Sequence, residues 1–187
     1  MLKLILGNNM KYIIIIILMG GFSSGAHSVE MSPYSGEEVR AIKSMSQTEI
    51  KGYLNGKGMG FAKAAELNNY PGPKHVLELS KELSLSSKQK SQTDDIFYAM
   101  QSDAITLGIE LIKLEKNLDS LFLNEEADSI KLETILNKIG IVKTKIRQVH
   151  LDAHIKQKNI LSSQQILLYS ELRGYQRNAS VHKKHHH

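Results

Sequence analysis

Leucines and isoleucines return in steps of three and four along two long stretches of this 187-residue chain. From Met100 the first series runs Leu107, Leu111, Leu114, Leu118 and Leu121. After a polar break at Asn124-Glu125-Glu126, the second runs Leu132, Ile135, Ile139, Val142, Ile146, Val149 and Ala153. Such spacing holds an apolar seam on one side of a helix. Two helices of this kind joined by a short polar turn predict an antiparallel helical hairpin, about 50 Å long if each arm has roughly 35 residues. The first arm has a second apolar face, Ile105, Ile109 and Ile112, with Ile96 and Phe97 nearer its start. A hairpin buries one stripe from each arm, so this face predicts a cover, either the short N-terminal helices or a second copy of the chain. A homodimer is expected.

Both ends of the long region carry a similar phrase, Leu85-Ser86-Ser87-Lys88-Gln89 and Leu161-Ser162-Ser163-Gln164-Gln165. In each, the Ser can cap a helix by accepting from a free backbone N–H, and the Gln three residues on can accept from the cap's own N–H. Each phrase therefore predicts a helix start. The leading Leu is placed as an apolar staple, with Ile166 as its partner in the second copy and the poorer Lys90 in the first.

Upstream, the pattern shortens. A short helix is expected from Glu37, carrying Val39 and Ile42, and Ser46-Gln47-Thr48-Glu49 predicts another capped helix through Ile50, Tyr53 and Leu54, ending at Asn55-Gly56. Gly56, Gly58 and Gly60 follow no strand and lack a Lys-Ser/Thr ending, so they read as a tight turn rather than a phosphate loop. A short helix is expected over Phe61 to Leu67. Tyr70-Pro71-Gly72-Pro73 then places Pro73 at the first position of a helix carrying Val76, Leu77, Leu79 and Leu83. These elements are too small to fold alone and should pack on the hairpin.

The N-terminus changes the picture of where the chain works. Lys3 and Lys11 precede the apolar run Tyr12 to Met19, and small residues follow to Ser28. Residues 1–28 read as a secretory signal peptide cleaved after Ala26 or Ser28. The apolar core is about half the roughly 20 residues that span a bilayer. Residues 29–36 are expected to be a flexible start to the mature chain, 37–176 the helical domain and 177–187 a flexible His/Lys-rich tail. Net charge falls from +5 to +3 on cleavage, since the leader holds two lysines and no acid. The remaining charges are interspersed and lack aromatic-basic alternation, so no nucleic-acid partner is expected. The absence of cysteine excludes disulfides, thiolate metal sites and a thiol nucleophile.

A duplicated Leu-Ser-x-x-Gln phrase flanking a long hairpin behind a signal peptide resembles the periplasmic family that includes Spy, CpxP and the zinc resistance-associated proteins, whose signature is Leu-Thr-x-x-Gln. Both copies here carry Ser for Thr, a near equivalent as a cap. The likeness covers roughly residues 37 to 175. Tyr70-Pro71-Gly72-Pro73-Lys74-His75-Val76-Leu77-Glu78-Leu79 and Leu172-Arg173-Gly174-Tyr175 look like its heavy-metal resistance or metal-sensing branch. The resemblance implies an all-α, cradle-shaped periplasmic dimer. Members act as ATP-independent chaperones, modulators of envelope-stress signalling or zinc-binding resistance proteins. It also implies that Leu85, Ser86, Gln89, Leu161, Ser162 and Gln165 belong to the architecture.

No cofactor is required by anything in the sequence, but zinc or another divalent transition metal has candidate ligands. His150 and His154 lie four apart on one helix face, beside the seam, where a partly exposed surface is the ordinary expectation. His182, His185, His186 and His187 in the tail are the better candidates for loose, exchangeable binding. Asp94-Asp95, Glu125-Glu126 and the pairs Glu110 with Lys113 and Glu115 with Lys116 read as solvated helix or turn surface. No Ser, His and Asp fall into a hydrolase context, so an enzyme is not expected. The expected partners are unfolded or stressed envelope proteins, a second copy of the chain and a membrane stress sensor. A metal-binding resistance or sensor role is the alternative.

Overall fold

The computed structural model describes residues 31–175. The expected signal peptide, residues 29 and 30, and the tail with His182, His185, His186 and His187 lie outside the described residues. The chain divides at Ser35 into two compact units. In the first, Ser35 N–H donates to Ser32 O at 3.0 Å to close a turn. The second unit runs from Gly36 onward and contains all six helices of the described residues.

All regular structure among the described residues is helical: α1 (Gln47–Leu54), α2 (Lys63–Glu66), α3 (Pro73–Glu78), α4 (Ser87–Leu123), α5 (Ser129–Ile160) and α6 (Ser163–Leu172). The two long helices, of 37 and 32 residues, pack on each other. Their contacts pair residues in opposite chain order: Glu115 meets Lys143 at 2.9 Å, and Thr93 accepts from Gln157 Nε2 at 3.1 Å. The seam is the expected one. Leu111, Ile135, Ile139, Val142 and Ile146 are buried together, with Leu107, Leu114, Leu118 and Leu121 packed against them. Between the helices, Asn124 caps α4 and Glu125 takes a positive φ of 56°. Asp128 then caps α5 by accepting from Lys131 N–H at 2.8 Å.

The second apolar face of α4 is covered in part by α1. Ile105 and Ile112 are half-buried while Ile109 stays exposed. The fit depends on two glycines. A Cβ at Gly108 would stand 2.6 Å from Tyr53 O, and one at Gly56 would stand 2.8 Å from Gln101 O. Gly56 also holds φ +60°, a left-handed conformation that disfavours other residues, and begins the tight turn expected there.

Residues 37–44 correct the sequence reading, since they form turns instead of a helix. The backbone N–H of Lys43 donates to the Asp119 carboxylate at 3.2 Å, and its ammonium reaches the same group at 3.1 Å. Ser44 Oγ donates to Glu115 at 3.0 Å. With the Lys43 N–H spent on α4, the bonds that remain within the segment span three residues, Arg40 to Glu37 and Met45 to Ile42. Glu115 is likewise no surface decoration: it is 5% exposed and takes both Ser44 and Lys143. The helices expected over 61–67 and 73–83 are shorter, ending at Glu66 and Glu78. After Glu78 the chain turns, reaching φ +48° at Ser84, which carries Leu83 into a second core with Val76, Leu161 and Tyr169.

Candidate functional site

The repeated phrases form helix starts of the expected kind, and then join. Ser86 Oγ accepts from Gln89 N–H at 3.2 Å, and Gln89 Oε1 accepts from Ser86 N–H at 3.1 Å. Ser162 and Gln165 repeat this at 3.2 and 2.9 Å. The amide ends of the two glutamines also meet. Gln89 Nε2 donates to Gln165 Oε1 at 2.9 Å and to Ile160 O at 3.0 Å. Gln165 Nε2 donates to Gln89 Oε1 at 3.2 Å and to Leu83 O at 3.1 Å. Each side-chain amide thus uses two donors and two acceptor positions, its full capacity. Leu161 is buried in the adjacent core, with Leu85 and Ile166 packed there too. The six residues assigned to architecture therefore make one clasp.

His150 and His154 lie on α5 beside the seam as expected, but they are buried instead of partly exposed. They are 3% and 9% exposed, because segments far upstream fold over them. Phe61 stacks on the His150 ring with centroids 5.7 Å apart, and His154 Nδ1 donates to Tyr70 O at 2.7 Å. That donation leaves Nε2 of a neutral His154 without hydrogen. His150 Nε2 is buried and has no partner. Burial, with His154 as the second cause, holds the His150 imidazole below its ordinary value.

A half-buried carboxylate, Glu66, organises this end of the molecule. Glu66 Oε1 accepts from Tyr169 OH at 2.5 Å, and Oε2 accepts from Gly72 N–H at 3.1 Å. His154 Nδ1 and Arg173 Nε stand 3.6 and 3.7 Å from it. Burial first and the bond to Glu66 second push the Tyr169 phenol well up. Glu66 lay in an unremarkable Ala-Ala-Glu-Leu stretch. Its partners come from the α2–α3 turn, α5 and α6, so no local pattern could mark it.

An open cleft of about 760 Å³ adjoins this cluster. Its wall includes His150, His154, Glu66, the glycine turn and Arg173. Among the described residues no group of three His, Cys, Asp or Glu side chains is arranged to hold a metal. His154 has committed one nitrogen to Tyr70, so the pair offers a cation at most one nitrogen from that ring.

The His150 environment has a pH consequence. The unfolded chain takes up a proton near the ordinary value of 6.5, while the folded chain resists it. Stability contributed by neutral His150 is complete above that value and is lost as pH falls through the lowered folded one. Urea melts at about pH 7.5 and about pH 5 should show a loss on acidification that His150→Phe, which keeps the ring stack, reduces. An undiminished loss in the variant would assign the effect to other groups.

Comparison with protein families, with curated proteins and with solved structures finds no match.

Proposed function

We propose that this chain is an exported, non-catalytic binding protein of the Spy and CpxP kind, which holds unfolded envelope proteins without ATP. The observation that carries the reading is the outer face of α5. Ile130, Ile141 and Ile155 are exposed there, and at 100° per residue they lie within about 60° of one another. Exposed Lys138, Lys145 and Lys156 flank the same stripe, which extends about 38 Å along the helix. Lysines suit capture of a charged, extended chain and separated isoleucines suit weak apolar holding.

The clasp supports the resemblance, because both Leu-Ser-x-x-Gln phrases serve one joint. In this reading α4 and α5 are the arms of an antiparallel hairpin, shaped as a cradle and paired with a second copy. Exposed Ile109, Phe122 and Leu123 are surfaces such a copy would cover. The periplasm is the proposed compartment, and docking on a membrane stress sensor is a further role compatible with the same surface.

The test is aggregation of a denatured client at stoichiometric ratio. The protein should suppress it, and the triple variant Ile130→Asn, Ile141→Asn, Ile155→Asn should lose most suppression while keeping its helical signal, since exposed positions carry little stability. No suppression by the unaltered protein would defeat the reading.

A second reading is favoured by the four imidazoles of His182, His185, His186 and His187: loose zinc binding by the tail, in a metal-buffering or sensing role. Zinc calorimetry on the whole chain and on one ending at Tyr175 separates the two, and equal heats would exclude the tail.

A further inference from the structure

The cleft beside His150 differs in character from the α5 stripe, and it carries an independent inference. Its size falls in the range of small-molecule sites, about 300–1,000 Å³. Its charge is one-sided. Lys57, Lys63, Lys74 and Arg173 line it, against one carboxylate, Glu66, both of whose oxygens already accept hydrogen bonds from the protein. Lys57 and Lys63 are exposed and have no carboxylate partner among the described residues. Met59, Phe97 and Met100 supply apolar wall. The imidazole of His150 lines the same cleft, 3% exposed, with Nε2 unpaired.

An unmet buried polar atom costs about 1–3 kcal/mol, so it marks a place where a missing partner would be welcome. Lys74 is paired with Glu78 at 3.6 Å and Arg173 with Glu66 at 3.7 Å, so a dication would have to enter against the uncompensated charges of Lys57 and Lys63. An oxyanion meets the opposite situation: the lysines attract it, the Nε2–H tautomer of His150 can donate to it, and bare Nε2 of His154 can accept from a hydroxyl on it. The apolar wall then requires an apolar body behind the charged head.

We propose that this cleft binds a small molecule with a phosphate or carboxylate head and an aromatic or aliphatic body, held by Lys57, Lys63 and His150. Nothing in this depends on whether α5 binds unfolded chains, because the two surfaces are distinct and can be altered separately.

Isothermal titration of the purified protein with phenyl phosphate tests it, with inorganic phosphate and benzyltrimethylammonium as partial mimics. Phenyl phosphate should saturate a single site, with inorganic phosphate at least about tenfold weaker and the cation giving no binding. The double variant Lys57→Glu, Lys63→Glu changes only exposed side chains and should weaken phenyl phosphate at least about tenfold at an unchanged melting temperature. His150→Phe should weaken it as well. The proposal is overturned by no saturable binding up to ~10 mM, by equal binding of the cation, or by full affinity in the double variant. Full affinity in His150→Phe would overturn it too, because His150 is one of the three groups that hold the head.

Discussion

Leu111→Ala should lower the free energy of unfolding by about 2–5 kcal/mol. Leu111 is completely buried at the centre of the seam, facing isoleucines on α5 that cannot collapse far into the space left behind. Removing the side chain forfeits its transfer free energy and opens a cavity. Ile109→Ala, two residues away but 54% exposed, should cost far less, within about 1 kcal/mol. Chemical denaturation of the two variants measures the contrast. Equal costs would mean that α4 does not face α5 through this stripe.

The second large effect is expected at Tyr169. Tyr169→Ala should cost about 3–5 kcal/mol, since it empties the core shared with Val76, Leu83 and Leu161 and leaves Glu66 short of a donor. Tyr169→Phe isolates the hydroxyl and should cost about 1–3 kcal/mol. The pH dependence gives the sign independently. An unfolded tyrosine loses its proton near 10, while burial and Glu66 keep the folded one protonated. The folded state then holds more protons than the unfolded, so this contribution is complete below pH 10 and declines as pH rises beyond it. Tyr169→Phe should flatten that decline. A decline of the same size in the variant would contradict the assignment.

The seams and caps were legible because both are local. A seam needs only side chains three and four residues apart, and a capping box needs a Ser and a Gln or Glu three apart. The covering of His150 and His154 was not, since Phe61 and Tyr70 lie more than 80 residues upstream. The turns at 37–44 escaped for a related reason: Asp119 on α4 takes an N–H that a helix would have kept.

The third helical residue of each capping box differs in a way that bears on the clasp. The box at Ser46 closes with Glu49, whereas both phrases close with Gln. A lone box needs only an acceptor, and a carboxylate serves. Where two boxes face each other, two carboxylates would repel, and a carboxylate on either side could not donate to Ile160 O or Leu83 O as the amides do. The Glu-to-Gln difference was therefore a sign that the phrases 76 residues apart were meant to meet.

That meeting underlies the packing of α6 and the likeness on which the proposed role rests, and a double-mutant cycle of Gln89→Ala and Gln165→Ala measures it. If the glutamines bond each other, the two losses will be coupled by about 0.5–3 kcal/mol. Losses that add to within ~0.3–0.5 kcal/mol would mean two separate caps, with no clasp between the ends of the long helices.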